Sequence, residues 1–82
     1  MMPGEMRKGD VVSYMFDTGA MGLDVLYGVV CQAGPKTFTV CWESGIKNRV
    51  EQGRRGIKRI ESEDLDEDAR ESVRRAIRAI ER

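Results

Sequence analysis

The stretch that decides the fold is "TFTVCWESGIKNRVEQGRRG", residues 37–56. Its first part alternates strictly, so that Phe38, Val40 and Trp42 share one face of an extended strand while small or polar residues occupy the other. Gly45 follows at a position where a tight turn requires a positive φ angle. A short polar segment then leads to a turn that two glycines bracket. This pattern predicts two short antiparallel strands and the turn into a third.

Strand signals also stand on both sides of this stretch. Upstream, "KGDVVSYMF" (residues 8–16) alternates, and "VLYGVVCQA" (residues 25–33) is β-rich, with Gly28 predicted to mark a bulge or a close backbone approach. The loop "DTGAMGLD" separates these two segments. Downstream, "IKRIE" (residues 57–61) is the last short strand. Five short strands joined by small turns favour an SH3-like β-barrel, with an OB-type barrel as the alternative.

The C-terminal segment, residues 62–82, has the composition of an amphipathic helix and contains neither Gly nor Pro. Asp64 followed by Glu67 is predicted to cap it, and the acidic start and arginine-rich end both suit the helix dipole. A helix of this length is marginal alone in water, so its apolar stripe is predicted to dock on the chain's own sheet or, alternatively, on a second subunit or a partner. The predicted docking face consists of Ala69, Val73, Ala76, Ile77 and Ile80.

The fold predicted from these segments is mainly β with one helix. An N-terminal lead (residues 1–8) precedes a five-stranded SH3-like barrel (residues 9–61), and a C-terminal amphipathic α-helix (residues 62–82) follows. A chain of 82 residues with 40% hydrophobic and 34% charged residues fits one small globular domain. The formal net charge is zero, so the chain as a whole has no electrostatic attraction for nucleic acid or membranes.

The composition also bears on chemistry and location. No apolar run approaches the roughly 20 residues of a membrane span, and the first ten residues hold no apolar signal core, so a cytoplasmic protein is expected. The chain has no histidine, and no serine or cysteine stands in a recognisable nucleophile motif. We therefore predict no catalytic residue, no metal site and no cofactor, and we expect a binding protein rather than an enzyme.

The two cysteines, Cys31 and Cys41, are predicted to be free thiols of a reducing compartment. A compact loop between the second and third strands would place Cys31 opposite Phe38 and Val29 opposite Val40. In that register the two cysteines lie on opposite faces of the hairpin, which argues against a disulfide.

A more specific pattern runs through the same part of the chain. Alternating apolar residues end at a tryptophan and a turn, a polar strand follows, and a G-x-x-G turn leads to an aliphatic position: Phe38, Val40, Trp42, Glu43, Ser44, Gly45, Gly53, Gly56 and Ile60. This pattern resembles the SH3-like domain of the Mind bomb family of ubiquitin ligases. The resemblance covers about residues 25–60 and implies an SH3-like fold. Tudor and KOW-type barrels share much of the same strand pattern, so it indicates architecture more than function.

Two surfaces are candidates for binding a partner. The first is a groove beside the long first loop, where SH3-type domains bind peptides, and its predicted residues are Tyr14, Met15, Met21 and Tyr27. Tyrosine supplies amphipathic contact area and methionine supplies adaptable apolar surface. Phe38 and Trp42 are in phase with the core valines and are therefore predicted to be buried.

The second surface is basic, with Glu51 as the one acid among six basic residues: Lys47, Arg49, Arg54, Arg55, Lys58 and Arg59. On adjacent strands and their connecting turn these side chains can converge to contact phosphates, which makes nucleic acid the alternative partner. Two other interpretations stay open. The residues can contact a protein, or they can form a solvated edge that prevents a short strand from pairing with its neighbours.

The sequence as a whole favours a small non-catalytic adaptor that binds a protein, with nucleic acid as the alternative partner and no membrane association. Homodimerisation through the C-terminal helix is a further alternative. The small stand-alone size also suits a phage- or prophage-encoded accessory protein that acts on a host factor.

Overall fold

The structure, a computed structural model, describes residues 5–81. It contains five strands and one α-helix: β1 (Val11–Asp17), β2 (Leu23–Ala33), β3 (Thr37–Trp42), β4 (Lys47–Glu51), β5 (Ile57–Ile60) and α1 (Glu67–Ile80). Single 3₁₀ turns stand at Gly19–Met21 and Ser62–Asp64. The prediction of a mainly β domain with a C-terminal helix is therefore confirmed. The first four residues of the predicted lead, and Arg82, lie outside the described residues.

The five strands form one antiparallel sheet in the order β4-β3-β2-β1-β5. The first strand pairs with β2 along its length and with β5 over residues 11–14. The strands β4 and β5 are the two edges of the sheet, and no ladder joins them in the part of the chain that the structure describes. The sheet is therefore open, and the prediction of a barrel is not confirmed.

One face of the sheet carries the larger apolar core. The predicted alternation of β3 is confirmed, since Phe38, Val40 and Trp42 are all buried in this core. The remaining buried members come from four other segments: Met6, Val12, Val30 and Val50. Each strand contributes alternate residues, as a half-buried strand must.

One residue of the predicted N-terminal lead, Met6, is part of this core. Met6 is buried, and its backbone N–H donates to Gln52 Oε1 at 2.9 Å. The side-chain amide of Gln52 donates back to the Met6 carbonyl oxygen at 3.1 Å and also to the Gly34 carbonyl oxygen at 3.1 Å. The turn after β4 thereby holds both the N-terminal segment and the turn between β2 and β3.

The other face of the sheet is covered by α1, which packs mainly on β2 and also contacts β3. The buried residues of this second core are Val29, Leu65, Ala69, Val73 and Ala76. Ile80 packs against them, but Ile77 remains 41% exposed, so its place in the predicted docking face is corrected. At 3.6 residues per turn, Ile77 lies about 40° beyond Val73 around the helix axis and leaves the contact.

The helix begins later than the predicted capping pattern implied. Residues Ser62–Asp64 form the 3₁₀ turn, and the N-cap is Asp66, whose Oδ1 accepts a hydrogen bond from the Ala69 N–H at 2.8 Å. The prediction that Asp64 caps the helix was wrong. The reason is that Leu65 must be buried in the second core, which places the chain between the turn and the helix against the sheet.

The register of the β2–β3 hairpin differs by one residue from the predicted one. Val29 pairs with Cys41 and Val30 with Val40, and an irregularity between Val30 and Gln32 leaves Cys31 without a ladder partner. The predicted pairing of Cys31 with Phe38 and of Val29 with Val40 was therefore wrong, and the opposite placement of the two cysteines loses its basis. Strand alternation alone does not reveal a bulge, so the sequence pattern could not predict this shift in register.

The two thiols are free and differ in their surroundings. Cys41 is fully buried beneath the helix, where its Sγ lies 3.5 Å from the Ala76 carbonyl oxygen. Burial, and next the neighbouring Cys31, raise the pKa of the Cys41 thiol above its ordinary value of 9.0, while Lys47 lowers it. The protonated thiol of Cys41 therefore acts as a small core residue.

Candidate binding site

A cavity of about 340 Å³ opens on the face of the sheet opposite the helix. All five strands contribute to it, together with the turns on either side of β4. Its walls are mostly apolar: Tyr14, Leu26, Trp42, Ile46, Val50 and Ile57. Because the two edge strands are not paired with each other, the end of the larger core is left open here, and its apolar residues form the lining.

Aromatic rings form one side of this cavity. The centroids of Tyr14 and Trp42 are 6.4 Å apart with a tilt of 58°, and Tyr14 stacks on Phe16 at 6.1 Å. Tyr14 and Phe16 are successive residues on one face of β1, which explains their proximity. Tyr14 and Trp42 line the cavity, whereas Phe16 supports Tyr14 from outside the lining.

The orientation of Trp42 is fixed from two sides. Its indole Nε1–H donates to Asn48 Oδ1 at 2.9 Å, across the β3–β4 pair. On the other side, Gly28 pairs with Trp42, and a Cβ at Gly28 would lie only 2.8 Å from Trp42 Cε3. A tryptophan held in this way presents a preformed wall to the cavity.

The rim of the cavity combines one exposed aliphatic residue with two arginines. Ile46, in the turn between β3 and β4, is 60% exposed and lines the cavity. Arg49 and Arg54 are the only charged residues in the lining, and neither guanidinium has an ion-pair partner among residues 5–81. The site therefore pairs an apolar floor with a positively charged edge.

The predicted groove residues are not brought together. Tyr14 lines the cavity, whereas Tyr27 lies on the opposite face of the sheet, where it packs against the helix cluster. Met15 and Met21 are exposed on the β1–β2 hairpin and are not part of the cavity. The cause is register: Tyr14 pairs with Leu26, so Tyr27 has the opposite side-chain direction.

Sequence reasoning missed most of the actual lining. Ile46 carried a signal, since it is a bulky apolar residue in the turn between two predicted strands, outside the alternation that fills the core. Trp42 is buried as predicted, yet it also forms a wall of the cavity. Leu26 and Ile57 had no such signal, because both are in phase with ordinary strand residues.

The predicted basic patch is distributed over the two edge strands and the turn that joins them. All six residues are exposed, but Lys47 and Arg49 belong to β4 while Lys58 and Arg59 belong to β5, at opposite edges of the sheet. Arg59 also lies 3.9 Å from an Asp10 carboxylate oxygen. Of the six, Arg49 and Arg54 are the two that line the cavity.

Two features are absent from the residues that the structure describes. Among the residues that the structure describes, no three His, Cys, Asp or Glu side chains form a group able to hold a metal ion. No helix within residues 5–81 combines the length and the apolar character of a membrane span.

The chain matches no known protein family, no curated protein and no solved structure.

Proposed function

We propose that this chain is a small non-catalytic binding module that takes a peptide segment of a protein partner in the cavity between β4 and β5. The observation that carries the proposal is the open, mostly apolar cavity with Trp42 held in place at its wall. Its volume of about 340 Å³ is at the lower end of the range for ligand sites, which suits one large apolar side chain of a peptide.

The exposure of Ile46 supports the same function. An isoleucine that is 60% exposed next to an apolar cavity adds apolar surface at which a ligand can displace water. A peptide side chain entering the cavity would contact this residue together with Trp42 and Tyr14. Rigid aromatic residues make such contacts at a low cost in conformational entropy.

A peptide suits this surface better than a nucleic acid does. Leu26, Ile46 and Ile57 line the cavity with aliphatic side chains, which offer no ring for base stacking, and the ring of Trp42 is buried. Of the six basic residues, Arg49 and Arg54 are the two that line the cavity, which gives few phosphate contacts around it.

The variant Ile46→Asp tests the proposal. Heptapeptides are first selected from a random displayed library on the full chain, and their affinity is then measured by fluorescence, since Trp42 is the sole tryptophan. We expect Ile46→Asp to lower the affinity at least about tenfold, because a carboxylate replaces apolar surface at the rim. Ile46 is exposed, so this variant is expected to remain folded.

Leu23→Asp is the matched control. Leu23 is 70% exposed at the tip of the β1–β2 hairpin, outside the cavity, and receives the same chemical change. The affinity of Leu23→Asp for the selected peptides is expected to stay within about twofold of the affinity of the original chain. If the library yields no binder, or if both variants weaken binding equally, the cavity is not the binding site and the proposal is wrong.

A further inference from the structure

We infer that the peptide bound in this cavity carries an Asp or Glu side chain next to its apolar anchor residue. The inference rests on the proposed function and adds the charge of the ligand to it. Its basis is the charge of the cavity rim, where both charged lining residues, Arg49 and Arg54, are positive.

The two arginines are available for a ligand. Within residues 5–81 neither side chain has an ion pair or a side-chain hydrogen bond to another residue. The nearest acid in sequence, Glu51, lines a neighbouring depression with both arginines but pairs with neither. By contrast, Arg59 already has a carboxylate partner in Asp10. A ligand carboxylate would therefore supply the counter-charge that the rim lacks.

Arginine also suits this ligand chemically. The guanidinium presents N–H donors in a planar fork that matches a carboxylate, and such charge-assisted bonds are stronger than neutral ones. At the edge of an apolar cavity the pair is less screened than in open water. A ligand carboxylate would thus pair with the arginines of the rim, while the neighbouring apolar side chain of the ligand fills the cavity.

The same rim disfavours cationic ligands. The faces of Trp42 and Tyr14 would by themselves attract a lysine, methyl-lysine or arginine side chain through cation–π contacts. Arg49 and Arg54 oppose this, because like charges at close range repel in a partly desolvated site. The cavity therefore selects against a positive anchor in spite of its aromatic wall.

The test uses three synthetic versions of one selected heptapeptide, acetylated and amidated at its ends, with Asp, Asn or Lys beside the apolar anchor. We expect the Asp version to bind about tenfold more tightly than the Asn version, and the Lys version to bind weakest. A fourth peptide, with Asn and a free C-terminal carboxylate, separates a side-chain carboxylate from a chain terminus. The Asp preference is expected to shrink as salt is raised.

Variants of the turn between β4 and β5 test whether Arg54 causes the preference for the Asp peptide. Arg54→Gln is expected to reduce the Asp-over-Asn preference to about twofold while the Asn peptide retains its affinity. The matched control is Arg55→Gln, which removes the same charge from the next residue, outside the cavity lining. Arg55→Gln is expected to keep most of the preference. Both residues are exposed, so neither change is expected to affect folding.

The outcomes separate the inference from the proposed function. Equal affinity for the Asp and Asn peptides, with Ile46→Asp still disrupting both, overturns the inference and leaves the peptide site standing. Preference for the free C-terminus alone, or equal effects of Arg54→Gln and Arg55→Gln, also overturns it. Absence of any selected peptide overturns both, and binding of a 20-nucleotide single-stranded DNA that Ile46→Asp weakens would then assign the cavity to nucleic acid.

Discussion

At the scale of the residue, the missing side chain of Gly28 lets residues of β3 pack closely against β2. Gly28 is buried in the middle of β2, between Val12 of β1 and Trp42 of β3. A Cβ at this position would lie 2.6 Å from Val40 Cγ1 and 2.8 Å from Trp42 Cε3. We expect Gly28→Ala to lower the free energy of unfolding by about 1–3 kcal/mol, because Trp42 cannot move without losing its bond to Asn48. Urea unfolding followed by fluorescence measures the change.

Gly34→Ala is the control for this prediction. A Cβ at Gly34 would meet only the Thr37 carbonyl oxygen, at the ordinary contact distance of 3.6 Å. Its effect on the free energy of unfolding is expected to stay within about 0.5 kcal/mol. If the two alanine variants are equally stable, close packing at Gly28 does not limit the sheet.

At the scale of the element, the start of α1 depends on one carboxylate. Asp66 accepts the Ala69 N–H at 2.8 Å and also places a negative charge at the positive end of the helix dipole. We expect Asp66→Ala to lower the free energy of unfolding by about 0.5–2 kcal/mol, and Asp66→Asn to lower it less because the cap is kept. Urea unfolding followed by far-UV circular dichroism measures both variants.

Asp64→Ala separates the observed cap from the predicted one. Asp64 is exposed at the end of the 3₁₀ turn, where its backbone N–H donates to the Glu61 carbonyl oxygen at 3.0 Å. Its replacement is expected to change the free energy of unfolding by less than about 0.5 kcal/mol. An Asp64→Ala effect as large as that of Asp66→Ala would show that the cap is wrongly placed.

At the scale of the whole molecule, the sheet separates two cores, and the helix is required to complete the second. Val29, Val73 and Ala76 meet in that core, where α1 packs on β2. We expect Val73→Asp to destabilise the chain by about 3–5 kcal/mol, because it buries a charge without a partner. In a domain of this size that is a large part of the total stability.

Ile77→Asp is the matched control for the helix. Ile77 is 41% exposed, four residues further along the same helix, and the new carboxylate can reach water. Its effect is expected to stay below about 1 kcal/mol, and light scattering is expected to show the same particle mass for this variant and the original chain. A mass that falls by half in Ile77→Asp would instead indicate a dimer through the exposed side of the helix.

The local periodicities were predicted well, for a physical reason. Alternation in β3 and helical spacing in α1 are properties of short windows, and the preference of each element for one buried face follows from them. The turn at Gly45, with φ of 91°, was also predicted, since glycine is needed there for a local backbone conformation. Gly28 was predicted to mark a bulge or a close backbone approach, and its contacts with β3 agree with the second of these.

Register and contacts between distant segments could not be predicted in this way. The irregularity at Cys31 moved the β2–β3 pairing by one residue, and Tyr27 faces the helix instead of the cavity. The division of the basic residues between two edges likewise depends on strand order, which no local window contains.

The sequence by itself thus determined which segments are strands, where the chain turns and which stripe of the helix is apolar, because these depend on neighbours within a few residues. Only the tertiary structure decided that the sheet stays open between β4 and β5, and that Trp42, Ile46 and Arg54 meet at its open end. The physical reason is that contacts between distant residues depend on how whole faces of the sheet and the helix pack against one another, and this packing involves the entire chain.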